Sequence, residues 1–149
     1  MILKKEIYTK CVKIAQQRVA DLSAIIKEAQ NAANNETKSS AGDKHETGRA
    51  MAQLETEKLT KQLAEALKLE QVLSQINPDT KHQQVGLGSL VTTNNGQFFI
   101  AASLGKVTLN DATIFAISNV SPIGKLLIGL KKEDSFSFNG KSYTILSIN

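Results

Sequence analysis

The chain has one cysteine (Cys11), no tryptophan, two prolines and two histidines among its 149 residues. One cysteine cannot close an intramolecular disulfide, and with two histidines it cannot furnish a Cys/His zinc site. The composition therefore points to a reducing compartment and away from a structural metal. No apolar run approaches the roughly 20 residues that a membrane span requires. The opening MILKKEIY has only a three-residue apolar stub before charge, so no secretion signal is expected and the expected location is cytoplasmic. Excess charge of one sign is scarce too. The net charge is +4, with twelve basic and ten acidic residues through residue 77 and six and four after it. That evenness speaks against a basic DNA-binding face and sequence-specific DNA binding.

What is present falls into two compositions joined near Pro78. All five Phe and seven of the nine Gly follow residue 84, while most of the charge precedes residue 78. Two domains are expected, 1–77 and 78–149. Each is of a size at which a compact core is marginal, so the first is expected to rely on long helix packing.

From Ile2 to Ala33 there is neither Pro nor Gly, and Tyr8, Val12, Ala15, Val19, Leu22, Ile26, Ala29 and Ala33 follow an alternating 4,3 spacing. That spacing lays one apolar stripe along a helix. A polar stretch, Asn31 to Asp43, is rich in residues that end or cap helices. A second helical pattern then runs from about Asp43 to Ile76, with Ala52, Leu59, Leu63, Ala66, Leu67, Leu73 and Ile76 on its apolar side, and Asn77-Pro78 stops it. The two read as an antiparallel coiled-coil hairpin, each helix a rod of roughly 45 Å.

At the turn, Asp43 and Glu46 stand three residues apart, a variant of the capping box at the start of the second helix. Acids are favoured in any first helical turn by the macrodipole. The same spacing also puts two carboxylates on one face, where they can share a hard cation such as Mg²⁺. Two carboxylates leave magnesium unsaturated, so the remaining ligands would come from water, phosphate or a partner. Gly48 either permits close approach of another chain or marks a helix beginning one turn later.

After residue 84 the period changes to that of strands. Leu87–Thr93, Gln97–Ala102, Ile114–Ile117, Ser135–Phe138 and Ser142–Ile148 are expected strands, with Asn94-Asn95-Gly96 and Asn139-Gly140 as hairpin turns. Ser121-Pro122 through Gly129 reads as an N-capped short helix with a glycine stop. The expectation is an α+β chain: the helical hairpin, then a twisted antiparallel sheet with one short helix. Ser89, Ser118 and Ser121 have no nearby base, and VGLGS lacks the Lys-Ser/Thr of a phosphate loop, so binding rather than catalysis is expected of this half.

The run Ile117-Ser118-Asn119-Val120-Ser121-Pro122-Ile123-Gly124-Lys125-Leu126-Leu127-Ile128-Gly129, followed by Lys131, Glu133-Asp134 and Tyr143-Thr144-Ile145-Leu146, resembles the GreA/GreB family of transcript cleavage factors. At the tip, Gly42-Asp43-Lys44-His45-Glu46 resembles the family's G-D-x-x-E. The resemblance implies an FKBP-like C-terminal domain that docks on RNA polymerase at the rim of its secondary channel, with Ser121, Pro122, Ile123 and Lys125 as the partner-binding residues here. It implies further that the coiled coil carries Asp43 and Glu46 to the polymerase, where they help hold Mg²⁺ for cleavage of the backtracked RNA 3′ end. The factor would then stimulate the polymerase's intrinsic activity and would not be an enzyme alone.

Where the family continues Asn-Ala-Glu-Tyr, this chain has Thr47-Gly48-Arg49-Ala50, lacking the third acid and the aromatic and placing a cation at the tip. A second expectation follows: a Gre-like channel regulator of initiation or pausing that does not promote cleavage. A chaperone or prolyl isomerase, suggested only by the implied FKBP-like fold, is disfavoured by the missing Trp and by aromatics without a pocket-like pattern. A dimeric coiled-coil spacer is the plainest alternative.

Overall fold

The computed structural model describes residues 3–38 and 44–149, with 33–38 and 44–47 described by their backbone course alone. Two long helices, α1 (Lys4–Lys38) and α2 (Lys44–Ser74), precede strands β1 (Leu90–Thr93), β2 (Gly96–Ala101), β3 (Gly105–Leu109) and β4 (Ala112–Ser118). A short helix α3 (Pro122–Leu127) and strands β5 (Ser135–Phe138) and β6 (Lys141–Ile148) complete the chain. The chain divides into two compact units, Ala15–Lys68 and a second formed by Met1–Ile14 with Leu69–Asn149.

In the helical unit the 4,3 stripe is the sheltered face. Ala15 is fully buried, and Val19, Leu22, Ile26 and Ala29 are half-buried between exposed neighbours. On α2 the matching face carries Ala52, Thr56, Leu59, Leu63 and Ala66, of which Leu59 and Ala66 are buried. Leu67, expected on the apolar side, is 47% exposed. One step past Ala66 is a rotation of about 100°, enough to leave a narrow coiled-coil seam. Thr56 is tolerated on the seam because its hydroxyl donates to the Ala52 carbonyl at 2.9 Å.

In the other unit the first turns of α1 and the last of α2 are tied together. The Tyr8 hydroxyl donates to the Leu73 carbonyl at 2.9 Å, and the Lys4 ammonium donates to the Thr80 carbonyl. The buried set here is broader than the predicted stripe, since Ile7 and Cys11 are both fully buried beside Tyr8 and Val12.

The six strands form one sheet in the order β3-β4-β2-β1-β6-β5. All neighbours are antiparallel except β2 and β4, which run parallel with Phe98 opposite Phe115. The sheet is mostly antiparallel, as expected, and the one parallel pair has its cause in β3. Residues 102–104 carry the chain from β2 past one strand position, β3 runs back along the edge, and β4 returns between them. Two strand spacings are about 10 Å, within the reach of a three-residue link at about 3.3 Å per residue. The Asn110-Asp111 turn joining β3 to β4 has both residues at positive φ, 50° and 63°, the pattern of a tight hairpin turn.

One sheet face carries Val91, Phe98, Ile100, Tyr143 and Ile145, clustered with Leu127 of α3 and flanked by Ile117, Ile123, Phe136, Phe138 and Ile148. Within it Phe136 stacks on Tyr143 with centroids 4.9 Å apart, and Phe98 meets Tyr143 edge-on at 5.9 Å. The aromatics are therefore core material that α3 covers. The opposite face is buried as well, through Leu90, Phe99, Ile114 and Val107. The register shift between Thr92 and Thr93 against β6 leaves Leu146 out of the ladder, and its side chain is half exposed.

Candidate functional site

The segment from the end of β4 into α3 is a closed hydrogen-bonded knot. Ser121 caps α3, its Oγ accepting from the Gly124 N–H at 3.1 Å and donating to the Ser118 carbonyl at 2.7 Å. The same carbonyl accepts the Ser121 N–H at 3.2 Å, and Ser118 Oγ accepts the Val120 N–H at 3.1 Å. Pro122 occupies the first helical position, where its missing N–H costs nothing. Gly124 is buried where a side chain would run into the Ser118 carbonyl, so glycine is required there by close approach.

The four residues expected to contact a partner are thus divided in their work. Ser121 is turned inward as the cap, and Ile123 packs against the sheet core. Pro122 and Lys125 are exposed. The knot also presents apolar residues that the sequence reading did not single out. Val120 is 68% exposed, and Leu126 and Ile128 are exposed as well.

Exposed apolar side chains close together on a rigid turn offer surface that a partner could bury. The exposure of Val120 had a signal in the sequence. An apolar residue just before an N-cap ordinarily staples to the fourth helical residue, and that residue here is Lys125, which offers Val120 no apolar partner.

Other polar residues of this unit serve the fold. Ser89 is fully buried, and its Oγ accepts the Gly86 N–H at 2.9 Å, closing the VGLGS turn. Thr93 Oγ1 donates to the Gly96 carbonyl at 2.8 Å, and Asn94 Oδ1 accepts the Thr144 N–H at 2.7 Å, locking the β1–β2 turn against β6.

At the tip, Asp43 lies outside the described residues, and Glu46 is placed only as backbone within the first turn of α2. Because α2 starts at Lys44, Gly48 is inside the helix, which rules out a start one turn later. A side-chain carbon there would meet nothing within 4 Å, so nothing described in this chain requires glycine at 48. Arg49 is exposed. Among the described residues no three His, Cys, Asp or Glu side chains gather as a metal site, and no helix is long and apolar enough to cross a membrane.

No protein-family model matches the chain, and no curated protein sequence matches it. Among solved structures it is similar to the transcription factor Gfh1, at 19% sequence identity and a TM-score of 0.38, over 93% of each chain.

Proposed function

We propose that this protein is a Gre-type transcription elongation factor that binds RNA polymerase at its secondary channel and presents Asp43 and Glu46 to the polymerase active centre. The observation that supports it best is the knot at 118–124. A capped, glycine-dependent turn within the run that resembles the family holds Val120, Pro122 and Lys125 outward, as a docking element must. Glu46 lies in the first turn of a 31-residue helix whose last residues belong to the sheet unit, and Asp43 is the residue before that helix in sequence. At about 1.5 Å per residue that helix spans about 45 Å, the reach that delivery to a distant site needs.

Asp43 and Glu46 are an incomplete magnesium set by their chemistry. The ion favours six oxygens in a strict octahedron, so two carboxylates suit one shared with polymerase, water and phosphate. When held there it would supply an activated water for hydrolysis of the backtracked RNA 3′ end. The chain's own part is to dock, to reach and to orient two carboxylates, while the polymerase performs the cleavage.

A second reading has its own observation. Arg49 is exposed in the first turns of α2, where the family pattern would place an acid. A channel regulator acting on initiation or pausing without cleavage accommodates that cation. A stalled polymerase with labelled RNA and Mg²⁺ separates the two. The first reading predicts short 3′ fragments released by the wild-type chain and none by Asp43→Asn, with binding equal. Binding with altered promoter output and no release above the polymerase's own rate selects the second.

A further inference from the structure

A groove of about 580 Å³ on the sheet unit is lined by Lys81, His82, Gln83, Gln84, Lys131 and Lys132. Two chain segments held side by side form it. Gln84 bridges Lys131, the Val85 N–H donates to the Leu130 carbonyl at 2.9 Å, and the Gly129 N–H donates to the Val85 carbonyl at 2.8 Å. Three of the six lysines that follow Pro78 line this groove, and all three are exposed. No ion pair engages them among the described residues.

The two acids of the adjoining turn keep their charge but do not line the groove. Asp134 turns its carboxylate onto the Lys131 backbone N–H at 2.8 Å, leaving exposed Glu133 on the flank. Burial and the nearby Lys4 lower the His82 pKa, so at neutral pH the imidazole is an uncharged wall of the groove. The cationic field there belongs to the lysines.

We propose that this groove binds an acidic segment of a protein partner, its carboxylates set against Lys81, Lys131 and Lys132 and its backbone amides against Gln83 and Gln84. Concentrated unpaired charge draws an oppositely charged partner and fixes its register. The lining favours carboxylates over nucleic acid. Its one ring is the small His82 imidazole, with no Phe, Tyr or Trp to extend a stacking platform and no arginine fork for phosphate.

The test is fluorescence anisotropy with a short labelled glutamate-rich peptide and, in parallel, a single-stranded RNA of equal charge. Each is titrated with the full chain at low and high salt. The wild type is expected to bind the peptide, more weakly as salt rises, and to prefer it to RNA. K131E/K132E is expected to lose about ten-fold in peptide affinity, while Lys141→Glu, outside the groove, binds as wild type. Lys131 enters the fold through its backbone and both side chains are exposed, so unchanged circular dichroism is expected of the double variant. Peptide binding that is absent, or equal in K131E/K132E and wild type, overturns the proposal. Tighter RNA binding through the same lysines also overturns it and assigns the groove to nucleic acid.

Discussion

Gly124 and Ser118 are locked in contact: a side-chain carbon on residue 124 would collide with the Ser118 carbonyl and stand 2.8 Å from Ser121 Oγ. The carbonyl cannot withdraw cheaply, since it accepts both the backbone N–H and the hydroxyl of Ser121. Gly124→Ala is therefore expected to destabilise the sheet unit by about 2–3 kcal/mol, combining overpacking with a weakened cap. Urea unfolding measures it, and polymerase affinity should fall in parallel because the turn is displaced. An alanine variant as stable as wild type would show that the knot is loose.

On the proposed function, docking and stability are expected to separate at Val120. Its side chain is 68% exposed and its backbone N–H, not its side chain, joins the knot. Val120→Glu should leave stability within about 0.5 kcal/mol. The same change should weaken polymerase binding about ten-fold, as expected for a charge placed in a desolvated contact. Equal binding by the variant would remove this turn from the docking surface.

Cys11 gives a pH dependence with a definite sign. The thiol is fully buried, and burial pushes its pKa up to about 11. The unfolded thiol ionises near its ordinary value while the folded one stays protonated. The stability tied to this group is thus complete below pH 9 and is lost as pH rises from about 9 toward 11. Denaturation across that range should show the decline in wild type and a flatter profile in Cys11→Ala. Alkylation at pH 8 should require unfolding, and rapid labelling of the native chain would contradict this burial.

Much of the architecture was legible because local signals were strong. Ser121-Pro122 and Gly129 framed α3, Asn139-Gly140 framed the last hairpin, and the 4,3 spacing from Ala15 to Ala29 matched the sheltered face of α1. Strand β3 was not foreseen. As an edge strand it buries only Val107, and its alternation is confined to Lys106–Leu109, too short to stand out from the loops around it. With β3 missing, the parallel pairing of β2 and β4 could not be anticipated either.

The site was legible unevenly for a related reason. Side-chain type marks Ser121 and Pro122 as helix-start residues, but only three-dimensional placement separates the inward Ser121 and Ile123 from the outward Pro122 and Lys125. Nothing local in the sequence announces the constraint on Gly124, which is a carbonyl six residues earlier. The lysine groove joins residues about 50 positions apart through the Gln84–Lys131 bridge, a pairing no local pattern announces.

The most direct measurement is binding of the labelled full chain to core RNA polymerase, with an established Gre factor as competitor. Saturable binding that the competitor displaces, and that Asp43→Asn retains, is the predicted result. No binding, or binding that the competitor fails to displace, would contradict a secondary-channel factor.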